Sequence, residues 1–195
     1  MPAKPGEEKL ITRAKSGNRA ALTELYELHV DKIFRYVAYR VPESDVEDVT
    51  AEVFVRMVEG LGKYTYTGAP FEAWLYSIAS ARVADFHRKN KRQNLEEIDE
   101  SFKDDQTLPE MKLLRAQEQE KIRDVLQKLS DDEQQLLILR FVERKSHKEV
   151  AEVMGKHEAA IRTMQHRALK RLAQLMGTDE KSRHYLRGEK EPEQE

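Results

Sequence analysis

Residues that can be buried recur at intervals of three and four through most of this chain, and that period commits it to helices. In the first series, Leu22, Leu25, Tyr26, His29, Ile33 and Val37 make one buried helical face. Arg40-Val41-Pro42 ends it, because proline resists continuation of a helix. A second helix is expected to open near Glu43-Ser44-Asp45, where acids suit the positive end of the helix dipole. Its apolar face is Val46, Val49, Val53, Phe54, Met57 and Leu61, and Gly60 and Gly62 are expected to break it. After the loop Lys63–Pro70, a third helix is predicted from Phe71 to about Arg92, with Trp74, Leu75, Ile78, Ala79 and Phe86 as its core.

Charge divides the chain. The net charge of its 195 residues is only −2, although 36% are charged. Between Ser80 and Arg92 the bases Arg82, Arg88, Lys89, Lys91 and Arg92 face the single acid Asp85. Between Lys156 and Arg171 the bases are Lys156, Arg162, Arg167, Lys170 and Arg171, against Glu158. Local sign decides where a polyanion can bind, so a near-neutral total does not exclude nucleic acid. From Asn94 to Lys112 the chain is acidic, weakly periodic and interrupted by Pro109, which reads as a linker. The expected architecture is therefore all-α: a helical domain over 1–93, an acidic linker over 94–112, a second small helical domain over 113–177 and a polar tail over 178–195.

Several function classes are excluded at this level. No run of about 18 apolar residues is present to span a bilayer, and Met1–Lys9 has no apolar signal core. The absence of cysteine removes disulfides, thiolate metal sites and cysteine nucleophiles, and a cytoplasmic address is expected. The histidines His29, His87, His147, His157, His166 and His184 form no HExxH pair, and no phosphate-binding GxxxxGK[ST] loop occurs. No enzyme, cofactor or metal is expected. His147, His157 and His166 are more simply surface or capping residues than ligands.

The second helical domain carries the most specific local pattern. Leu114, Ile122, Val125, Leu126 and Leu129 mark its first helix, and Leu136, Leu137, Leu139 and Phe141 the next. Ser130-Asp131-Asp132-Glu133 and Ser146-His147-Lys148-Glu149 both have capping-box spacing, in which serine accepts from a free backbone N–H and glutamate reaches back. The second box opens a short helix through Met154, with Val150, Ala151 and Met154 on its apolar face; Gly155 supplies a turn. A last helix from about Glu158 to Leu175 buries Ile161, Met164, Ala168 and Leu172. This is the organisation of a helix-turn-helix. Docked in a major groove by its N-terminal half, the last helix would aim Glu158, Ala159, Arg162 and Thr163 at base edges, with His166 on the same polar face. Arg167, Lys170 and Arg171 would lie near phosphates. The alternative is an amphipathic hairpin with a solvated basic face.

Longer stretches carry a family resemblance. Leu129–Glu143, Ser146–Gly155 and His166-Arg167-Ala168-Leu169-Lys170-Arg171-Leu172 resemble region 4 of the small RNA polymerase sigma factors. Asp45-Val46-Glu47-Asp48-Val49-Thr50-Ala51-Glu52-Val53-Phe54 resembles the region 2 helix that docks on the polymerase clamp helices. Phe71–Ala79, continuing to Asp85-Phe86-His87-Arg88-Lys89, resembles the helix that engages the −10 element. The order and spacing, from roughly Lys9 to Leu175, are those of the extracytoplasmic-function group of the sigma-70 family. Three positions depart: Ser130, where members often carry proline, Arg144, often glycine, and Ala81, often asparagine.

The resemblance implies a factor that binds core RNA polymerase and directs promoter-specific initiation, with an anti-sigma factor as a common further partner. Asp48, Glu52 and Phe54 would contact polymerase, although the spacing of Phe54 also suits the core. Tyr64 and Tyr66 would stack on unpaired promoter bases, at about 1–3 kcal/mol each. Arg88, Lys89, Lys91 and Arg92 would grip phosphates at the −10 region. Glu158, Ala159, Arg162, Thr163, His166, Arg167 and Lys170 would serve the −35 region. The rival reading is a helix-turn-helix regulator that acts without core polymerase.

Overall fold

The computed structural model describes residues 6–66, 69–96 and 121–176. Helices α1 (Glu7–Lys15), α2 (Arg19–Ala38), α3 (Val46–Leu61) and α4 (Phe71–Glu96) form its N-terminal half. The C-terminal half contains α5 (residues 121–126), α6 (Asp131–Leu137), α7 (His147–Met154) and α8 (Glu158–Leu175). No strand occurs among the described residues. Most of the expected linker and all of the expected tail lie outside them, as do Leu114 and the loop residues Thr67 and Gly68.

In the N-terminal half the expected stripes meet, except that Tyr26, expected on the buried face of α2, is 45% exposed. Leu25, Ile33, Tyr36 and Val37 of α2, Val49, Val53 and Met57 of α3, and Phe71, Leu75, Tyr76, Ala79 and Val83 of α4 are all buried. Each large apolar side chain removed from water in this way contributes about 1.5–3 kcal/mol. The helix α1 was not expected from the sequence; it adds Leu10, Ile11 and Ala14 to the same core. Asn18 then starts α2, its side chain accepting from the Ala21 N–H.

Helix ends differ from expectation where tertiary contacts intervene. A 3-10 turn at Glu43–Asp45 precedes α3, so the acids there stand just outside the α-helix. Helix α3 runs through Gly60 to Leu61 instead of breaking at Gly60. The absent side chain lets Trp74 approach: a Cβ on Gly60 would lie 3.1 Å from Trp74 Cζ2. Helix α4 continues past Arg92 to Glu96.

Both capping boxes form. Ser130 accepts from the Glu133 N–H and Glu133 accepts from the Ser130 N–H; Ser146 and Glu149 do the same for α7. Ser130 has φ −67°, an angle proline also adopts, but its N–H donates to Glu133 at 2.9 Å, a bond proline would forfeit. A π-helical turn, Ile138–Val142, follows α6. Its wider winding breaks the α-helical register. Phe141, expected on the buried stripe, is 55% exposed.

Arg144 adopts φ +54°, a left-handed conformation that costs a residue with a Cβ roughly 1–2 kcal/mol. Glycine would remove that cost at some expense in unfolded-chain entropy. Arg144→Gly is therefore expected to raise unfolding stability by up to about 1 kcal/mol, read from chemical denaturation midpoints. A lowered midpoint would mean that the arginine side chain contributes more than its backbone costs.

Candidate functional site

The three expected surfaces lie on different helices. On α3, Asp48 and Glu52 are four residues apart and exposed, on one face with Val55 and Glu59. Phe54 points the other way. It is 6% exposed and packs edge-on against Tyr26, ring centroids 4.8 Å apart, so most of the ring is core, although Phe54 also lines the groove between α2 and α3.

Beside the acids lies an open apolar groove of about 720 Å³ between α2 and α3, with Tyr26, Phe34, Val55 and Val58 among its lining residues and Glu47 and Glu59 at its rim. Phe34, Val55 and Val58 escaped the sequence reading because they sit off the stripe that faces the core. A second, weaker apolar stripe on α3, Ala51, Val55 and Val58, is the signal that could have found them. Contiguous exposed apolar surface rimmed by polar residues is a common feature of interaction sites.

The −10 residues divide by geometry. Tyr66 is 41% exposed. Tyr64 is half-buried and wedged between Phe71, at 5.2 Å between centroids, and Trp74, at 4.9 Å. Lys15 also donates to the Tyr64 carbonyl oxygen at 2.8 Å, tying this loop to α1. Trp74 belongs to the same aromatic cluster. At the far end of α4, Arg88, Lys89, Lys91 and Arg92 are exposed. Arg88 and Arg82 pair with Asp85, and chiefly the Arg88 hydrogen bond holds the Asp85 carboxyl below its ordinary range.

In the helix-turn-helix, Gly155 takes φ +62°, and its N–H and that of Lys156 both donate to the Ala151 carbonyl, closing the end of α7. Ala151, Val150 and Val153 pack with Ile161 and Ala168. His157 occupies the N-cap position of α8 in extended geometry, without a side-chain cap. Three polar residues lock the helices in a way spacing could not show: Gln165 Oε1 accepts from Arg140 Nε at 2.9 Å and lies 3.0 Å from His147 Nε2. Arg140 also donates to the Lys145 carbonyl.

On the outer face of α8, Ala159, Arg162, Thr163, His166, Arg167 and Lys170 are exposed and Glu158 partly so. Arg162 reaches back one turn to Glu158 at 2.5 Å, so reading a base would require it to exchange that partner. A groove of about 550 Å³ runs between the start of α6 and the first half of α8, lined in part by Ala159, Thr163 and Arg167. Acids of α6 pair with bases flanking it: Asp132 with Lys156 at 3.1 Å and Glu133 with Arg171 at 3.7 Å.

Among the described residues no cluster of three or more histidine, aspartate or glutamate side chains could hold a metal ion, and no helix is long and apolar enough to cross a membrane.

Known proteins share this arrangement. Residues 25–93 match the family described as sigma-70 region 2, and residues 119–172 match sigma-70 region 4. The ECF RNA polymerase sigma factor BldN of Streptomyces coelicolor is 37% identical over 175 residues, covering 88% of this chain and 66% of that protein. SigD of Mycobacterium tuberculosis, also an ECF RNA polymerase sigma factor, is 32% identical over 173 residues, covering 85% of this chain and 81% of its own length. The solved structure of CnrH in complex with the cytosolic domain of CnrY superposes with a TM-score of 0.64 at 24% identity, over 89% of this chain and 98% of that one, and supports the fold. The helix-turn-helix thus coincides with the region 4 match and the acid-bearing α3 with the region 2 match: the chain belongs to the ECF RNA polymerase sigma factors.

Proposed function

We propose that this chain binds core RNA polymerase through α3 and directs promoter-specific transcription initiation, with α4 serving the −10 element and α8 the −35 element. The observation that carries the reading is one chain with two separate kinds of surface. An acid-flanked apolar groove on α2 and α3 suits a protein partner. An exposed basic helix, held at the angle set by Gly155, suits a DNA groove.

In this reading Asp48 and Glu52 meet basic residues of polymerase, while Phe54 supports the helix from beneath. Tyr66, at 41% exposure, is more accessible to a promoter base than the half-buried Tyr64. Arg88, Lys89, Lys91 and Arg92 contact phosphates. Glu158, Ala159, Arg162 and Thr163 face base edges, and His166, Arg167 and Lys170 follow the backbone. The division into a region 2 unit over 1–93 and a region 4 unit over 113–177, joined by the acidic 94–112 stretch, is part of the same proposal. The exposed apolar surface also suits the anti-sigma partner that the resemblance implies.

Transcription of a genomic library by core polymerase with and without the purified chain tests this. New start sites that need both components and share paired upstream elements are expected. A chain that binds specific DNA alone but changes no start site would instead be a regulator independent of polymerase.

A further inference from the structure

Three helices converge on one loop residue. Tyr64 follows the end of α3, and its N–H donates to the Leu61 carbonyl at 3.1 Å. Its ring packs on Phe71 and Trp74 at the start of α4, with centroids 5.2 and 4.9 Å away. Its carbonyl oxygen accepts from Nζ of Lys15 at 2.8 Å; Lys15 is the last residue of α1 and lies 49 positions earlier in the chain. The N–H, the ring and the carbonyl of Tyr64 are thus each held by a different helix. Tyr66, two residues on, is exposed.

Helix α1 reaches this loop because Leu10, Ile11 and Ala14 seat it on the core. Its other end is pinned as well. Glu7 Oε1 lies 3.3 Å from Nε2 of His29, which is 4% exposed and has its ring centroid 5.6 Å from that of Phe71. Burial first, and then the Glu7 carboxylate, push the Tyr64 phenol above its ordinary range, so Glu7 is also felt at the loop. Both ends of α1 therefore act on the cluster of Tyr64, Phe71 and Trp74, one through a carboxylate and the other through an ammonium.

The Lys15 contact is not a consequence of burial. Lys15 is exposed, and fixing a long surface side chain costs rotamer entropy. What the contact achieves is order in the loop. A segment already held in its binding conformation loses less freedom when a ligand arrives, and it discriminates better, because a base that fits poorly cannot draw the loop toward itself. Tyr64 fixes the direction in which the chain runs on to Tyr66.

We propose that α1 is a brace for the −10 loop and that Lys15 is a positioning residue for −10 recognition: by holding the Tyr64 carbonyl it sets the course of the chain that presents Tyr66 to an unpaired promoter base. Glu7 and His29 seat the brace. Lys15 acts through Tyr64 and not on DNA. Its role at the −10 element rests on the sigma-factor reading; the brace itself does not.

Trp74 is the sole tryptophan, is partly buried and neighbours Tyr64, so its fluorescence reports the loop in the full chain. Lys15→Met keeps the stem and removes the donor. It should raise acrylamide quenching of Trp74, and Lys15→Arg, which keeps a donor, should not. In the assembled holoenzyme, Lys15→Met should lower the preference for matched over substituted −10 templates about fivefold, the size of one hydrogen bond. The preference for matched −35 templates should stay as it is, and Lys15→Arg should recover the −10 preference. Unchanged quenching in Lys15→Met would overturn the brace. An unchanged −10 preference, an equal loss at −35, or no recovery with arginine would each overturn the positioning role. So would equal weakening on all −10 sequences with a salt dependence of log affinity lowered by about one unit, which would make Lys15 a phosphate contact. If the unaltered chain directs no start sites, the sigma-factor reading falls and the −10 role with it, while the quenching result still decides the brace.

Discussion

Replacing Asp48 and Glu52 together by lysine is expected to weaken association with core RNA polymerase by on the order of a hundredfold, with helix content unchanged. The size follows from the sign reversal. Two acids that meet basic residues become two bases facing them, and like charges juxtaposed at an interface cost several kcal/mol. The fold should not suffer, because both side chains are exposed and neither joins the core of α3. Phe54→Ala would be a poor substitute probe. That ring is buried against Tyr26, and truncating a buried phenylalanine costs about 3–5 kcal/mol of stability, so any loss of binding would be confounded with unfolding. Competition for labelled core enzyme measures the affinity and circular dichroism the helix content. Undiminished affinity in the double variant would move the polymerase contact to another surface.

The second large effect concerns promoter reading and separates two residues of one helix. Arg162 stands in the first turns of α8 and Lys170 two turns further on, both exposed. If Arg162 makes a two-pronged contact with a base, Arg162→Ala should cost about 1–3 kcal/mol at the preferred −35 sequence and relax the preference there. In the free chain its partner is Glu158, so part of the gross contact energy goes to breaking that pair. Lys170→Ala should instead weaken all sequences about equally and lower the dependence of log affinity on log salt by about one unit, as losing one phosphate contact does. Both variants belong in the assembled holoenzyme, compared on matched and scrambled −35 templates over a salt series. Unchanged preference in Arg162→Ala together with altered preference in Lys170→Ala would reverse the assigned orientation of α8.

The elements most legible in the sequence are those whose physics is local. The boxes Ser130–Glu133 and Ser146–Glu149 close within one helical turn, so their spacing sufficed to place the starts of α6 and α7. Gly155 was legible for the same reason, since a left-handed residue after a helix needs no distant partner. Arg144, at φ +54°, occupies a position where the family often carries glycine, and the backbone supplies the reason. Helix α1 was missed because nine residues do not hold a helix by themselves. Leu10, Ile11 and Ala14 order it by packing, and packing is not a local property.

The candidate surfaces follow the same division. Periodicity placed Asp48, Glu52, Arg162 and Thr163 on polar faces, because a helix sorts its side chains by rotation alone. It could not distinguish Tyr64 from Tyr66, two residues apart in one loop. Only the approach of Phe71 and Trp74 leaves one ring packed and the other exposed. It also could not show that Gln165 joins Arg140 to His147, since that contact depends on how α7 and α8 cross. Arg40 marks the limit most clearly. In the sequence it belonged to the Arg40-Val41-Pro42 helix stop; in the fold its partners come from 91 and 94 residues away. Helices, caps and face polarity are set by interactions within a few residues, and these the chain carries in its order. Which face meets which, and where a buried charge finds its counter-charge, depends on side chains brought together by packing of whole helices, so that part belongs to the tertiary structure.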